Sequence, residues 1–260
     1  MKVLFIGDIV GKPGRKAVKE GLPDLVNKLK VDFVIANAEN AAGGFGVTRA
    51  ICEDLFLLGI DVFTSGNHIW DKKEAVTYIV KENRLLRPAN YPEDVAGAGS
   101  IVMKTSSGEK IGILNLSGRV FMQPLDCPFQ AAKKELHLLK EQTNTIIVDF
   151  HAEATSEKSA LGWYLDGKVS AVVGTHTHVQ TADEKILPKG TAFITDVGMT
   201  GPTHSIIGVK TEQIINKFLT HIPCRFETAR GEAILSCVVL DINTKTGLST
   251  GIQRLQVTFP

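Results

Sequence analysis

Five short polar clusters carry the side chains of this sequence that could do chemistry: Asp8, Glu39 with Asn40, Asn67 with His68, His151, and His176 with His178. Each closes an apolar, strand-like run. Carboxylate and amide oxygens and imidazole nitrogens, without thiolates, are donors that suit iron, manganese, zinc or another first-row ion, and the residues alone do not choose among these. Taken singly, each has a plain structural explanation. Asp or Asn after a strand often caps the next helix, and a lone histidine is usually a satisfied core or surface residue. Their recurrence at strand ends points instead to one shared site, because the loops that follow strands of an open α/β sheet converge on one crevice. Four of the seven histidines belong to the set. His137, His204 and His221 lie in a helix, a loop and a helix end, and receive no ligand role. His176 and His178 are two apart. They would face the same way in an extended segment, but a loop could aim them at two neighbouring ions, a spacing that suits a dinuclear site.

The elements that must position these residues follow one grammar in the first third of the chain. Val3 to Ile6 stops at Gly7-Asp8, Phe33 to Ala36 at Asn37-Ala38-Glu39-Asn40, and Val62 to Thr64 at Ser65-Gly66-Asn67-His68. Lys16 to Lys28 and Thr48 to Leu58 between them have helical apolar spacing, with Pro23 interrupting the first. Such alternation predicts parallel βαβ units. Ser100 to Lys104 and Ile111 to Leu116, joined by Ser106-Ser107-Gly108-Glu109, read as a hairpin. Helices are expected at Gln130 to Glu141 and Thr211 to Thr220. Strands are expected at Thr145 to Phe150, Val169 to Val173, Ala192 to Thr195, Ile234 to Leu240 and Ile252 to Val257.

The chain has 260 residues, 43% hydrophobic and 22% charged, which suits one α/β domain over 1–260 with a sizeable core and argues against disorder. A net charge of +1, from 29 basic and 28 acidic residues without like-charge blocks, announces no nucleic-acid or membrane surface. No apolar stretch is long enough for a membrane span and no signal-peptide pattern opens the chain, so the expected location is the cytoplasm. Cys52, Cys127, Cys224 and Cys237 are dispersed without a CxxC pair, as buried reduced thiols would be.

In order, Gly7-Asp8, Glu39-Asn40, Gly66-Asn67-His68, His151 and Gly174-Thr175-His176-Thr177-His178 resemble the calcineurin-like metallophosphoesterases, whose pattern is DxH, GDxxD, GNH(D/E), H and GHxH. Val10 stands in place of the DxH histidine, Glu39 in place of the bridging aspartate, and Ile69 in place of the acidic residue after GNH. Over nearly the whole length, GDIVGKPGR, NAENAAGGFGVT, TSGNHIWDKKE and VDFHAEATSEK resemble one branch, the YmdB-like bacterial phosphodiesterases. This resemblance implies two packed mixed β-sheets flanked by helices, a four-layer sandwich. It implies a di-iron centre, with manganese and zinc as alternatives, and hydrolysis of cyclic nucleotides, notably 2′,3′-cyclic nucleoside monophosphates. One ion would be held by Asp8, Glu39, Asn40 and His178, and the other by Glu39, Asn67, His151 and His176, with Asn40 filling the place left by Val10. A dimer or tetramer is expected from the family, and no stable nucleic-acid complex.

A metal-activated hydroxide would attack phosphorus in line, with Glu39 holding ions about 3.5–4 Å apart. His68, next to a ligand and so poorly placed to bind the same ion, would protonate the departing oxygen; Asp71 or a backbone carbonyl would fix its tautomer. Gly11-Lys12-Pro13-Gly14-Arg15 and Gly43-Gly44-Phe45-Gly46 could bring amides or a cation to a phosphate, though plain glycine turns explain them more simply, and neither has P-loop spacing. Asp196 to Gly201 closes a strand on what could be the same rim and receives no catalytic role. Two other functions fit the ligands: a phosphomonoesterase, or a catalytically weak metal-containing protein that binds nucleotide or RNA.

Overall fold

The computed structural model describes residues 1–260. Its elements are β1 (Lys2–Ile6), β2 (Asp8–Ile9), α1 (Gly11–Leu29), β3 (Phe33–Asn37), α2 (Arg49–Leu57), β4 (Val62–Thr64), α3 (Lys73–Tyr78), β5 (Ser100–Lys104) and β6 (Lys110–Ser117). The second half adds α4 (Pro128–Lys140), β7 (Ile146–His151), α5 (Thr155–Leu165), β8 (Ala171–Thr175), β9 (Lys185–Ile186), β10 (Ala192–Ile194), β11 (Met199–Pro202), α6 (Thr211–Thr220), β12 (Ala233–Asn243) and β13 (Leu248–Phe259).

The strands form two mixed sheets. One has the order β2-β11-β12-β1-β3-β4, with β13 along the other edge of β12; the second has the order β5-β6-β7-β8-β10-β9. The βαβ units appear as β1, β3 and β4, which pair in parallel, and β6, β7, β8 and β10 do the same in the second sheet. The chain is an α/β four-layer sandwich because each sheet is apolar on both faces. Along β1, Val3 and Phe5 enter a core between the sheets, where they meet Ile113, Ile147 and Val173, while Leu4 and Ile6 face α1 and α2 through Val18, Leu22 and Leu55. On the far side of the second sheet, Leu114, Val148 and Phe150 pack on Leu136 of α4 and Leu161 of α5. A strand residue thus selects its layer by parity, the period-two rule of the pleat.

Pro23 does not interrupt α1, which runs on through it. The face toward the sheet is carried by Gly14, Ala17, Val18, Gly21 and Leu22, whereas Pro23 and Lys19 are exposed, so the carbonyl that loses its partner can bond water. Two helices escape the sequence reading. The buried side of α5 contains Lys158 and Gly162 beside Leu161 and Leu165, which hides its apolar stripe, and α3 buries only Ala75. The short β11 also escapes, since Met199-Thr200-Gly201-Pro202 has the composition of a turn. No helix is long and apolar enough to cross a membrane.

Candidate metal centre

Both sheets deliver side chains to one place. Asp8 lies in β2, Glu39 and Asn40 follow β3, Asn67 and His68 follow β4, His151 is the last residue of β7, and His176 and His178 follow β8. Asp8, Glu39, Asn40 and His151 are almost wholly buried.

The first donor cluster surrounds His151. Its Nε2 lies 3.1 Å from Glu39 Oε1, 3.1 Å from Asn67 Oδ1 and 3.1 Å from His176 Nδ1. One ligand atom from each of Glu39, His151 and His176 lies within 4.8 Å of the other two. A ring nitrogen carries at most one hydrogen, so one proton on Nε2 cannot satisfy three electron-rich neighbours; a cation can. Burial would push the Glu39 carboxyl up, but His151 and His68 overcome it and hold it down at about 2. Burial pushes His151 down, yet Glu39 and Asp8 lift it to about 9, whereas burial and the neighbouring His151 drive His176 down to about 3.

The second cluster surrounds Asp8. Its Oδ2 accepts the His176 backbone N–H at 3.2 Å, while Oδ1 is buried with no hydrogen-bond partner and lies 3.7 Å from His178 Nε2. An unpaired buried carboxylate oxygen costs on the order of 1–3 kcal/mol or more, so it too fits a cation. Burial raises the Asp8 carboxyl against the pull of His178. Asn40 Nδ2 is 3.3 Å from His178 Nε2 and 3.4 Å from Glu39 Oε1. Glu39 Oε1 therefore stands between the two clusters.

The backbone and a layer of polar partners hold this geometry. A Cβ on Gly66 would lie 2.0 Å from the His151 ring, so only glycine lets the β4 loop pass so close. Thr175 Oγ1 donates to Asp149 Oδ1 at 2.8 Å and lies 2.9 Å from His151 Nδ1, which makes Nδ1 the donor and turns Nε2 toward the cluster. Asn37 Nδ2 donates to the other oxygen of Asp149 at 3.2 Å, and burial pushes the Asp149 carboxyl up to about 7. His178 Nδ1 is held by the Ile207 carbonyl at 2.8 Å. His176 and His178 have φ of 101° and 66°, costly for residues with a side chain. Between them Thr177 is tied to Asp196, and Asp196 to Lys158.

Residues 4–255 match the family described as YmdB-like protein. The chain belongs to this family. It is 52% identical over 257 residues to a Bacillus subtilis (strain 168) protein named 2′,3′-cyclic-nucleotide 2′-phosphodiesterase, covering 99% of this chain and 97% of that one. A Thermus thermophilus crystal structure, described as a hypothetical protein, superposes with a TM-score of 0.94 at 43% identity, covering all of both chains. A Mycoplasma pneumoniae structure described as a novel phosphatase gives 0.93 at 37% identity, over 99% of this chain and 93% of that one. The four-layer fold of the family is the fold observed here.

His68 stands beside both clusters. Its backbone N–H donates to Glu39 Oε2 at 2.9 Å, and its Nδ1 lies 2.7 Å from Asn40 Oδ1. Neither Asp71 nor a backbone carbonyl fixes the ring, as the sequence had suggested; the Asn40 amide does. Nε2 has no protein partner, and the ring lines a cavity of about 310 Å³ whose apolar side includes Phe45, Ile207 and Phe226. The same contact turns the Asn40 carbonyl toward His68 and its NH₂ toward His178, so ligation of an ion beside His178 requires a half-turn of this amide. All eight residues singled out from the sequence lie in or against the two clusters. Asn37, Asp149, Thr175 and Lys158 received no role from the sequence, and Asp196, placed on the same rim, was given none in catalysis. The available signal was a polar residue interrupting an apolar strand, as Asp149 does between Val148 and Phe150.

Proposed function

We propose that residues 1–260 form one phosphodiesterase domain that holds two transition-metal ions, iron foremost with manganese and zinc as alternatives, and hydrolyses 2′,3′-cyclic nucleotides. The single observation behind this reading is the sharing of Glu39 Oε1 between two donor sets, 3.1 Å from His151 Nε2 and 3.4 Å from Asn40 Nδ2. Asp8, Glu39, Asn40 and His178 would hold one ion, and Glu39, Asn67, His151 and His176 the other. Bound there, the ions would acidify a water and neutralise phosphoryl oxygens. The name of the Bacillus subtilis relative supports the substrate class.

Water adds to phosphorus while the bond to the ribose 2′-oxygen breaks, leaving a 3′-phosphate. His68 supplies the proton that this alkoxide takes up: with Asn40 beside Nδ1, Nε2 faces the cavity, and the ring in its imidazolium form would present the Nε2 proton there. Phe45 stands edge-on to His68 with ring centroids 5.1 Å apart.

Metal analysis of anaerobically purified protein, paired with turnover of 2′,3′- and 3′,5′-cyclic nucleotides and of mono- and bis-nitrophenyl phosphate, tests the reading. Two ions per chain and preference for the 2′,3′-cyclic diesters are expected, with no turnover in Glu39→Gln, because a neutral amide cannot bridge two cations. At most one ion in carefully loaded protein, or full activity in Glu39→Gln, would overturn the dinuclear model. Preference for the monoester would indicate a phosphomonoesterase, and binding of cyclic nucleotide without turnover a binding protein.

A further inference from the structure

Beside the cavity over the donor clusters lies a second, larger cleft of about 780 Å³. The two meet at Phe226 and Thr228, which line both, and at the adjacent Gly43 and Gly44. A Cβ on Gly44 or Gly11 would lie 2.8 Å from Thr228, so these glycines let the 225–230 segment close down between the cavities. The hydroxyl of Thr228 at this junction is buried and has no hydrogen-bond partner.

The chemistry of the second cleft differs from that of the first. Lys12, Lys16, Arg225 and Arg230 line it, and its one carboxylate, Glu227, is held by Lys210 at 2.5 Å. Lys16 is engaged by Glu20 at 3.8 Å, but Lys12, Arg225 and Arg230 make no ion pair. A nearly neutral chain has therefore concentrated unpaired cations in the cleft that opens off its catalytic cavity. Such a groove, with an aromatic side chain at its mouth, suits the backbone of a single-stranded nucleic acid.

Size and connectivity decide what enters it. The first cavity, about 310 Å³, is at the small end of ligand pockets, enough for about one nucleotide. In a 2′,3′-cyclic phosphate both ribose hydroxyls belong to the ring under attack, so a longer substrate can extend only from its 5′-oxygen. Its next phosphates must leave the first cavity, and the adjoining cleft carries the charges to receive them. We propose that this chain acts on oligoribonucleotides ending in a 2′,3′-cyclic phosphate, with Lys12, Arg225 and Arg230 binding the internucleotide phosphates upstream of the terminal residue. This inference rests on the cyclic-phosphodiesterase reading above and extends it from mononucleotides to RNA ends.

The test compares kcat/KM for a 2′,3′-cyclic mononucleotide, the same nucleotide carrying a 5′-phosphate, and a tetraribonucleotide with the same cyclic end, using the metal-loaded protein. We expect the tetranucleotide to exceed the mononucleotide at least about tenfold at low salt. The slope of its log kcat/KM against log salt should be steeper by about 2, as three single-strand phosphates would give. The combined substitution K12A/R225A/R230A should bring the ratio of the two substrates close to one. Equal kcat/KM for tetranucleotide and mononucleotide, a salt response common to both, or an undiminished ratio in the triple variant would overturn the proposal. A 5′-phosphorylated mononucleotide as good as the tetranucleotide would also overturn it, since the cleft would then read one terminal phosphate. Failure to turn over any of the three would instead refute the phosphodiesterase reading itself.

Discussion

Lys158 Nζ stands 2.7 Å from Asp196 Oδ2 with the two side chains 1% and 0% exposed, and the same oxygen accepts the backbone N–H and hydroxyl of Thr177 at 3.1 and 2.7 Å. The other oxygen accepts the Gly198 N–H at 2.8 Å. An ion pair sealed in the protein thus grips the single residue between His176 and His178, both of which hold left-handed backbone conformations. Lys158→Met would leave a buried carboxylate without its cation, a loss of about 3–5 kcal/mol. We expect the melting temperature to fall by on the order of 10 °C, read by scanning calorimetry on metal-free protein. A shift under about 2 °C would mean that the pair contributes little.

Asn40 sits between His68 and His178, and its two amide atoms serve different neighbours. If its oxygen joins Asp8 and His178 around an ion, Asn40→Ala should lower occupancy of that ion while the one at His151 and His176 is retained. Metal titration followed by elemental analysis reads both. Two ions held at wild-type affinity would reduce Asn40 to an orienting partner of His68.

His68 should act through a proton and not through a metal. His68→Ala is expected to keep both ions and to lose about 10²–10⁴-fold in turnover of a cyclic nucleotide, whose leaving group is a poor alkoxide. A nitrophenyl phosphodiester, whose phenolate needs no proton, should lose far less. Equal losses on the two substrates, or a missing ion, would sink the acid assignment.

Asp183 offers a pH test away from the metal centre. Burial pushes its carboxyl up, but bonds from Thr181 Oγ1 at 2.6 Å and from the Thr195 N–H and hydroxyl at 3.1 and 2.5 Å outweigh it and hold the group below its ordinary value. A carboxyl depressed by folding stabilises the protein above its unfolded pKa of about 3.9, and that contribution is lost as pH falls through the lower folded value. Asp183→Asn should therefore lower the melting temperature more at pH 7 than at pH 3. The same decrement at both values would show that the charge of Asp183 is not involved.

Much of this protein was legible in its residues. The apolar runs of β1, β3, β7 and β8 announce strands buried on both faces, and the polar residues that close them announce the site, because a strand must deliver its next residue to the sheet edge whatever lies around it. The GNH motif and the His176-Thr177-His178 segment already carry the resemblance to the family. Elements whose inward face is not apolar stayed hidden: α5 buries Lys158, and the reason lies in Asp196, 38 residues away. Nor can spacing reveal that Thr175 and Asp149 set the tautomer of His151, that Asn40 and not Asp71 orients His68, or that Lys12 shares a cleft with Arg225 and Arg230. Local periodicity is a property of the chain. Which nitrogen faces a cluster, and which cations go unpaired, depends on side chains brought together by the packing of two sheets, and only the tertiary structure decides that.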